Sequence, residues 1–331
     1  MSAITDLPPA DTRAERGRLR TQLTREIPRK GDRDLLVATW NIREFGGLTP
    51  KWRATASDSP KRDLHSLVLI AEIVSRFDVV AIQEAQKKLE ALQALLIYLG
   101  EDWSVILTDP TEDDLGGNER LAFIFDRSRV EVSGLACELV VPFNWNRENP
   151  NRRIPEQTLD RQFARSPYAV SFRRRGAVFT LVTLHVYWGS KSEQHIAERA
   201  KELTSVATWL RDWAASPDSW DQNLICLGDF NIDRRGSGLW QAFTSTGLTV
   251  PEQIDQPRVI AGRPLDHYYD QIAWFTGDDA GTRALLSVDY TDKAGMFDWS
   301  ATALADSGLT NLQKSYRMSD HYPLWVEFEV P

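Results

Sequence analysis

The sequence predicts an α/β protein, and three observations carry that reading. Short β-branched apolar runs alternate with segments of helical apolar spacing, the runs end in polar or charged side chains, and such ends occur near both extremes of residues 34–331. The last observation argues for one domain over residues 34–331, with residues 1–33 as a polar N-terminal extension. No short-period repeat or low-complexity segment interrupts that organisation.

The extension joins Pro8-Pro9 to a charged segment, Arg13 to Arg25, whose weak apolar periodicity suits a tail or surface helix along the domain edge. Asp34 to Ile42 then reads as a strand ending in Trp40-Asn41, and Gly46-Gly47 closes it. Leu64 to Phe77 has helical spacing, and Asp78 to Glu84 is a second buried strand ending in a carboxylate, as in a βαβ unit. Lys87 to Tyr98 predicts an amphipathic helix, with Leu89, Leu92, Leu95, Leu96 and Leu99 on one stripe. Trp103–Leu107, Arg120–Asp126 and Val130–Val141 read as strands, with an acidic loop over Asp109–Glu119. Asn144 to Arg165 is a long polar loop, of a length that usually serves a task such as substrate contact. Tyr168–Phe172 and Val178–Leu184 follow as strands, the second reaching His185. Glu193 to Trp213 predicts a long helix, and Leu224-Ile225-Cys226 leads into Gly228-Asp229-Phe230-Asn231. Tyr269 to Trp274 and Leu324 to Val330 close the series, the latter preceded by Ser319-Asp320-His321-Tyr322-Pro323.

Bulk properties narrow the class. Hydrophobic content of 42% and charged content of 26% are those of a protein with a real core. A net charge of −8 argues against coating nucleic acid by bulk electrostatics, although a local basic face is compatible with it. Two cysteines, Cys137 and Cys226, do not make a disulfide framework, which points to a reducing, cytoplasmic setting. The polar N-terminus lacks the form of a signal peptide, and no stretch approaches the roughly 18 apolar residues of a membrane span. No obligate protein partner is implied.

Chemistry is concentrated at strand ends: Asn41, Glu84, His185, Asp229, Asn231, Asp270, Asp320 and His321. Each alone is explained as a turn or cap residue, and a lone histidine as a hydrogen-bonded core side chain. Their recurrence at successive strand ends is what points to a site. Carboxylates and amide carbonyls without thiolates suit a hard cation such as Mg²⁺ or Mn²⁺, and two histidines beside them suit proton transfer.

The chain resembles the endonuclease/exonuclease/phosphatase superfamily, in particular its pancreatic-type deoxyribonuclease branch. The matching segments are Trp40 to Gly46, Ile82-Gln83-Glu84, Glu119 to Phe123, Phe163 to Pro167, Leu184-His185, Gly228 to Asn231, Tyr269 to Ile272 and Ser319 to Pro323, in the family's order. The resemblance implies a four-layer α-β-β-α sandwich of the deoxyribonuclease-I-like type and a divalent-metal-dependent phosphodiester hydrolase. It implies Glu84 as metal ligand, with Asn41 contacting metal or phosphate and Asp320 joining the metal side. Asp229 and Asn231 would position the attacking water and bind the phosphoryl oxygen. His185, oriented by Glu119, would be the general acid, His321, oriented by Asp270, the base or a phosphate ligand, and Arg165 would neutralise a phosphate oxygen. Hydrolysis of an anionic diester requires this division of labour, because charge must be neutralised and the leaving alkoxide needs a proton.

One departure from the branch concerns substrate. Gln86-Lys87-Lys88 stands where the branch places a minor-groove arginine, and insertions around Asn144–Arg161 and Ile254–His267 have no counterpart. A basic rim of Arg147, Arg152, Arg153, Arg161, Arg165, Arg173-Arg174-Arg175 and Arg234-Arg235, with Trp145, Tyr168, Tyr187 and Trp188 for stacking, would favour nucleic acid, DNA ahead of RNA. The competing readings are a phosphatase or phospholipase on inositol phosphates or sphingomyelin, and a non-catalytic binding module.

Overall fold

Strand β1 (Asp34–Phe45) is buried on both faces, and its alternation divides the core in two. Leu35 and Val37 join one hydrophobic cluster, whereas Leu36, Ala38, Trp40 and Ile42 join another, as the two-residue period of a strand dictates. The computed structural model describes residues 4–111, 117–140, 163–216, 220, 221, 223–255, 258–260, 263–277, 285 and 287–331.

Two six-stranded mixed sheets pack face to face. The first has the order β13 (Asp289–Met296), β14 (Leu324–Glu329), β1, β2 (Val79–Gln86), β4 (Glu119–Asp126), β3 (Trp103–Leu107). The second has the order β5 (Glu131–Glu138), β6 (Tyr168–Arg174), β7 (Ala177–His185), β8 (Leu224–Asp229), β12 (Asp270–Phe275), β9 (Leu248–Thr249). Helices α1 (Ala10–Glu26), α2 (Leu64–Val74) and α3 (Glu90–Leu99) contribute to the cluster on the outer face of the first sheet. Helices α4 (Glu193–Ala215) and α5 (Gly238–Thr244) contribute Leu203, Val206, Leu210, Leu239 and Phe243 to the cluster that also fills the space between the sheets. The result is the four-layer sandwich that the resemblance implied.

Each sheet has one central parallel pair, β1 with β2 and β7 with β8. Parallel pairing puts the carboxyl ends of both strands at the same edge, where sheets of this class bind ligands. Asn41 and Glu84 come from one pair, His185 and Asp229 from the other. Buried Gln83 links the sheets below this edge, donating to Thr183 Oγ1 at 2.9 Å and to Thr39 Oγ1 at 3.1 Å. Gly228 adopts φ 147°, and a Cβ there would lie 2.1 Å from the Leu184 carbonyl oxygen, so only glycine lets β8 approach β7 this closely.

The extension contributes α1, with Leu19 and Leu23 buried in the cluster it shares with α2. Its low periodicity has a local cause: Arg16 and Arg20 grip Glu72 of α2 at 2.6 Å each, so ion pairs supplement a narrow apolar contact. The helix expected over Leu64–Phe77 ends at Val74, and the strand expected over Val130–Val141 is β5, Glu131–Glu138. The Ile254–His267 insertion contains a ribbon, β10 (Arg258–Ile260) with β11 (Arg263–His267). That ribbon and the short helices α5 and α6 (Asn311–Ser315) have patterns too brief for periodicity to register, and the eight-residue edge strand β13 has no buried residue to impose an apolar alternation. Arg147, Arg152, Arg153, Arg161 and Trp145 of the polar loop, with part of the Asp109–Glu119 loop, lie outside the described residues. Among the described residues, no helix is long and apolar enough to cross a membrane.

Candidate active site

Asp229, at the end of β8, is 2% exposed and is the hub of the site. Its Oδ2 accepts from Asn41 Nδ2 at 3.0 Å, and lies 3.7 Å from His185 Nε2 and 3.8 Å from His321 Nε2. Its Oδ1 accepts the backbone N–H of Asn231 at 3.0 Å, a turn that puts Asn231 at φ 51°. Asn41 Nδ2 also donates to Glu84 Oε1 at 3.0 Å, and Glu84 Oε2 accepts the backbone N–H of Glu44 at 2.8 Å. Glu84 itself adopts φ 60°, where β2 shifts register against β4 and β1. Left-handed backbone at a non-glycine residue costs about 1–3 kcal/mol and persists when its surroundings over-determine it.

Each imidazole is backed by its own carboxylate. His185 Nδ1 lies 2.9 Å from Glu119 Oε2, and His321 Nδ1 lies 2.9 Å from Asp270 Oδ2. An ionised carboxylate only accepts, so the proton is on Nδ1 in both rings and each Nε2 faces Asp229. Burial and the Arg165 guanidinium act to lower the His185 pKa, but Glu119, by charge and hydrogen bond, and Asp229 outweigh them and raise it. For His321, burial is again opposed and outweighed, by Asp270, Asp229 and Asp320, and the pKa stands well above the ordinary value. Asp229 is held in its charged form: burial disfavours the charge, yet His321, His185 and the Asn41 and Asn231 hydrogen bonds lower its pKa.

The residues expected to carry catalysis, metal or phosphate binding all reach this edge, though two do so differently from the rest. Arg165 reaches Glu119 with Nε at 2.7 Å and Nη2 at 3.1 Å, so it braces the carboxylate behind His185. Asp320 faces Arg43 Nη1 at 3.6 Å and is 30% exposed at its side chain, one step out from the buried centre. The Asn231 amide donates to the Val186 carbonyl at 2.7 Å, tying the turn after β8 to the end of β7.

Sequence reasoning missed the residues that hold the His321 segment. The indole N–H groups of Trp40 and Trp299 both donate to the His321 carbonyl, at 3.0 and 3.2 Å. Arg62, 2% exposed, donates to the carbonyls of Arg43, Glu44, Arg317 and Met318, at 2.6, 2.9, 3.1 and 3.1 Å, and so joins the end of β1 to the 317–321 turn. Burial pushes its pKa down to about 10, against the pull of Glu84 and Glu44. A polar side chain inside the Lys61-Arg62-Asp63 run gives no local sign of burial.

The expected basic rim is only partly realised. Arg173–Arg175 lie at the β6–β7 turn, the opposite end of β7 from His185, roughly 26 Å away at 3.3 Å per residue. There Arg173 pairs with Glu131, Arg174 donates to the carbonyls of Arg129, Gly31 and Asp32, and Arg175 to that of Pro331. Tyr168 is a core residue, 6% exposed, packed against Phe123.

The donor set fits a hard divalent cation. Asn41 Oδ1 and Asp270 Oδ1 are buried and have no hydrogen-bond partner among the described residues, which leaves their lone pairs available to a cation. Asp229, Asp270 and His321 also bring one donor atom each to within 4.8 Å of one another.

In sequence, no curated protein matches the chain. In structure, it is similar to the human Nocturnin catalytic domain with bound sulfate anion, at 15% identity over 90% of this chain and 95% of that one, with a TM-score of 0.57. It is similar to the mannosyl-6-phosphatase of Bacteroides thetaiotaomicron VPI-5482, at 18% identity over 89% and 99% of the two chains and a TM-score of 0.53. It also resembles D. rerio TDP2 complexed with single strand DNA product, at 15% identity over 90% and 99% and a TM-score of 0.51. At these identities the likeness is one of fold. Residues 38–286 match the Endonuclease/Exonuclease/phosphatase family, and the chain therefore belongs to that family of phosphoester hydrolases.

Proposed function

We propose that the protein is a Mg²⁺- or Mn²⁺-dependent phosphodiesterase that cleaves nucleic acid, DNA ahead of RNA, by attack of water on phosphorus. One observation supports this above the others: a single buried carboxylate, Asp229, lies between two imidazoles that are each backed by a second carboxylate. Asn41 and Glu84 are hydrogen-bonded into the same network. Glu84, Asn41 through its free Oδ1, and Asp320 would hold the cation. Once bound, the cation supplies charge neutralisation and polarisation at the phosphoryl group.

The chain's own residues handle the protons. Asp229 and Asn231 orient the attacking water and the phosphoryl oxygen. His185 delivers a proton from Nε2 to the leaving oxygen, while Glu119, braced by Arg165, fixes its tautomer. His321, fixed by Asp270, binds the phosphate in the protonated form that its raised pKa favours, and takes the water proton only in its neutral form. The free Cys137 and Cys226 support a cytoplasmic setting.

A second reading, hydrolysis of small or lipid phosphoesters, draws support from Arg173–Arg175 pointing away from the site. Purified protein assayed on plasmid DNA, RNA, inositol phosphates and sphingomyelin separates the two. Plasmid nicking that EDTA abolishes and Mg²⁺ or Mn²⁺ restores is the expected result. Lipid hydrolysis without plasmid cleavage sinks the nuclease reading, and activity that persists in EDTA removes the metal.

A further inference from the structure

Beyond His185 the chain turns at once into residues 186–192, a segment built to hold one ring exposed. Gly189 adopts φ 60°, and a Cβ there would lie 2.8 Å from both the His195 and Tyr187 rings, so the turn admits only glycine. Ser190 Oγ bonds His195 Nδ1 at 2.7 Å, and Ser192 caps α4 by accepting the His195 N–H at 3.3 Å. The turn leaves Trp188 39% exposed. Buried Arg199 sets its guanidinium 5.9 Å from the Trp188 ring and reaches the Ser190 carbonyl at 3.5 Å. Burial raises the pKa of the Tyr269 hydroxyl, and the neighbouring Trp188 indole N–H acts to lower it. Tyr269 stacks on His267 at 4.5 Å with 9° between the planes, and its ring lies 6.3 Å from that of His321. An aromatic wall thus begins beside the buried imidazoles, and its outermost member is held out in water, where an unoccupied indole gains nothing from burial.

The geometry points to Trp188 and Tyr269 as a subsite that stacks the nucleobase next to the scissile phosphate, which makes the substrate a base-bearing phosphodiester rather than a sugar or lipid phosphate. The inference rests on the phosphodiesterase reading of the same site. Removing a ring on which a base stacks weakens binding by about 5- to 150-fold.

The test titrates the full chain, in Mg²⁺, with thymidine 5′-monophosphate and with deoxyribose 5-phosphate in a calorimeter, and follows hydrolysis of methyl p-nitrophenyl phosphate in parallel. Wild-type protein is expected to bind the nucleotide at least about tenfold more tightly than the sugar phosphate. Trp188→Ala should erase that difference and Trp188→Phe restore most of it, with far-ultraviolet circular dichroism unchanged. Equal binding of the two probes, binding of neither, or a difference that survives Trp188→Ala overturns the subsite. Ester hydrolysis without base preference refutes the subsite alone, whereas base-dependent binding without hydrolysis refutes the hydrolase reading alone.

Discussion

Gly228→Ala places a methyl group 2.1 Å from the Leu184 carbonyl oxygen and 2.9 Å from its nitrogen, both backbone atoms of the neighbouring strand. Ordinary contact begins at 3.4 Å, so the chains must part by about 1.3 Å or β8 must rotate. Two terms add. A non-glycine residue held at positive φ costs about 1–3 kcal/mol, and overpacking against a strand that cannot yield costs a further 1–3 kcal/mol or so. The combined loss of unfolding free energy is about 2–6 kcal/mol. The same displacement acts on function, because Leu184 faces Gly228 and His185 faces Asp229 in the β7–β8 register. A misplacement near 1 Å lowers turnover by about a hundredfold. Urea denaturation and kcat on a cleaved substrate read the two effects separately. Gly236→Ala is the control: Gly236 also has positive φ, 73°, but nothing lies within 4 Å of its would-be Cβ, so only the conformational term applies and kcat stays. If Gly228→Ala unfolds within about 0.5 kcal/mol of wild type and turns over normally, the account of the close approach is wrong.

His185→Ala and His321→Ala should each lower kcat by at least about a hundredfold, as loss of a general acid or base does, with near-ultraviolet circular dichroism preserved. Near-normal turnover of either variant refutes the role given to that ring. Arg62→Met should lower stability by about 3–5 kcal/mol, because it strips a buried donor from four carbonyls at once. A shift in the urea midpoint too small to resolve would show that water replaces the guanidinium there.

Much of the fold was legible because its central strands are buried on both faces and read as continuous apolar runs. β1, β2, β7, β8, β12 and β14 all lie where β-branched or apolar stretches predict them, and α2, α3 and α4 where helical spacing does. The polar residues at the ends of these strands were legible as well, since each interrupts or borders an apolar run, and parallel central pairing then brings the ends of β1, β2, β7 and β8 to one edge. Arg173–Arg175 misled, because a run of like charges carries no information about which end of a strand it will occupy. Arg62 and Trp299 were passed over, and Trp40 was read only as part of a strand end, for the opposite reason: their task is to bond backbone carbonyls, which leaves no pattern in side-chain types.

By itself, then, the sequence determined the order of the main buried strands and long helices and the kinds of side chain at the strand ends, because periodicity and residue type are local properties. The family resemblance already implied which carboxylate each imidazole meets, whereas only the tertiary structure decided that Asp229 lies between both rings and that Arg165 braces Glu119. His185 and Glu119 are 66 residues apart, and Asp270 and His321 are 51 apart. Their pairing depends on the register of two sheets and on how closely those sheets pack, and no local pattern encodes either.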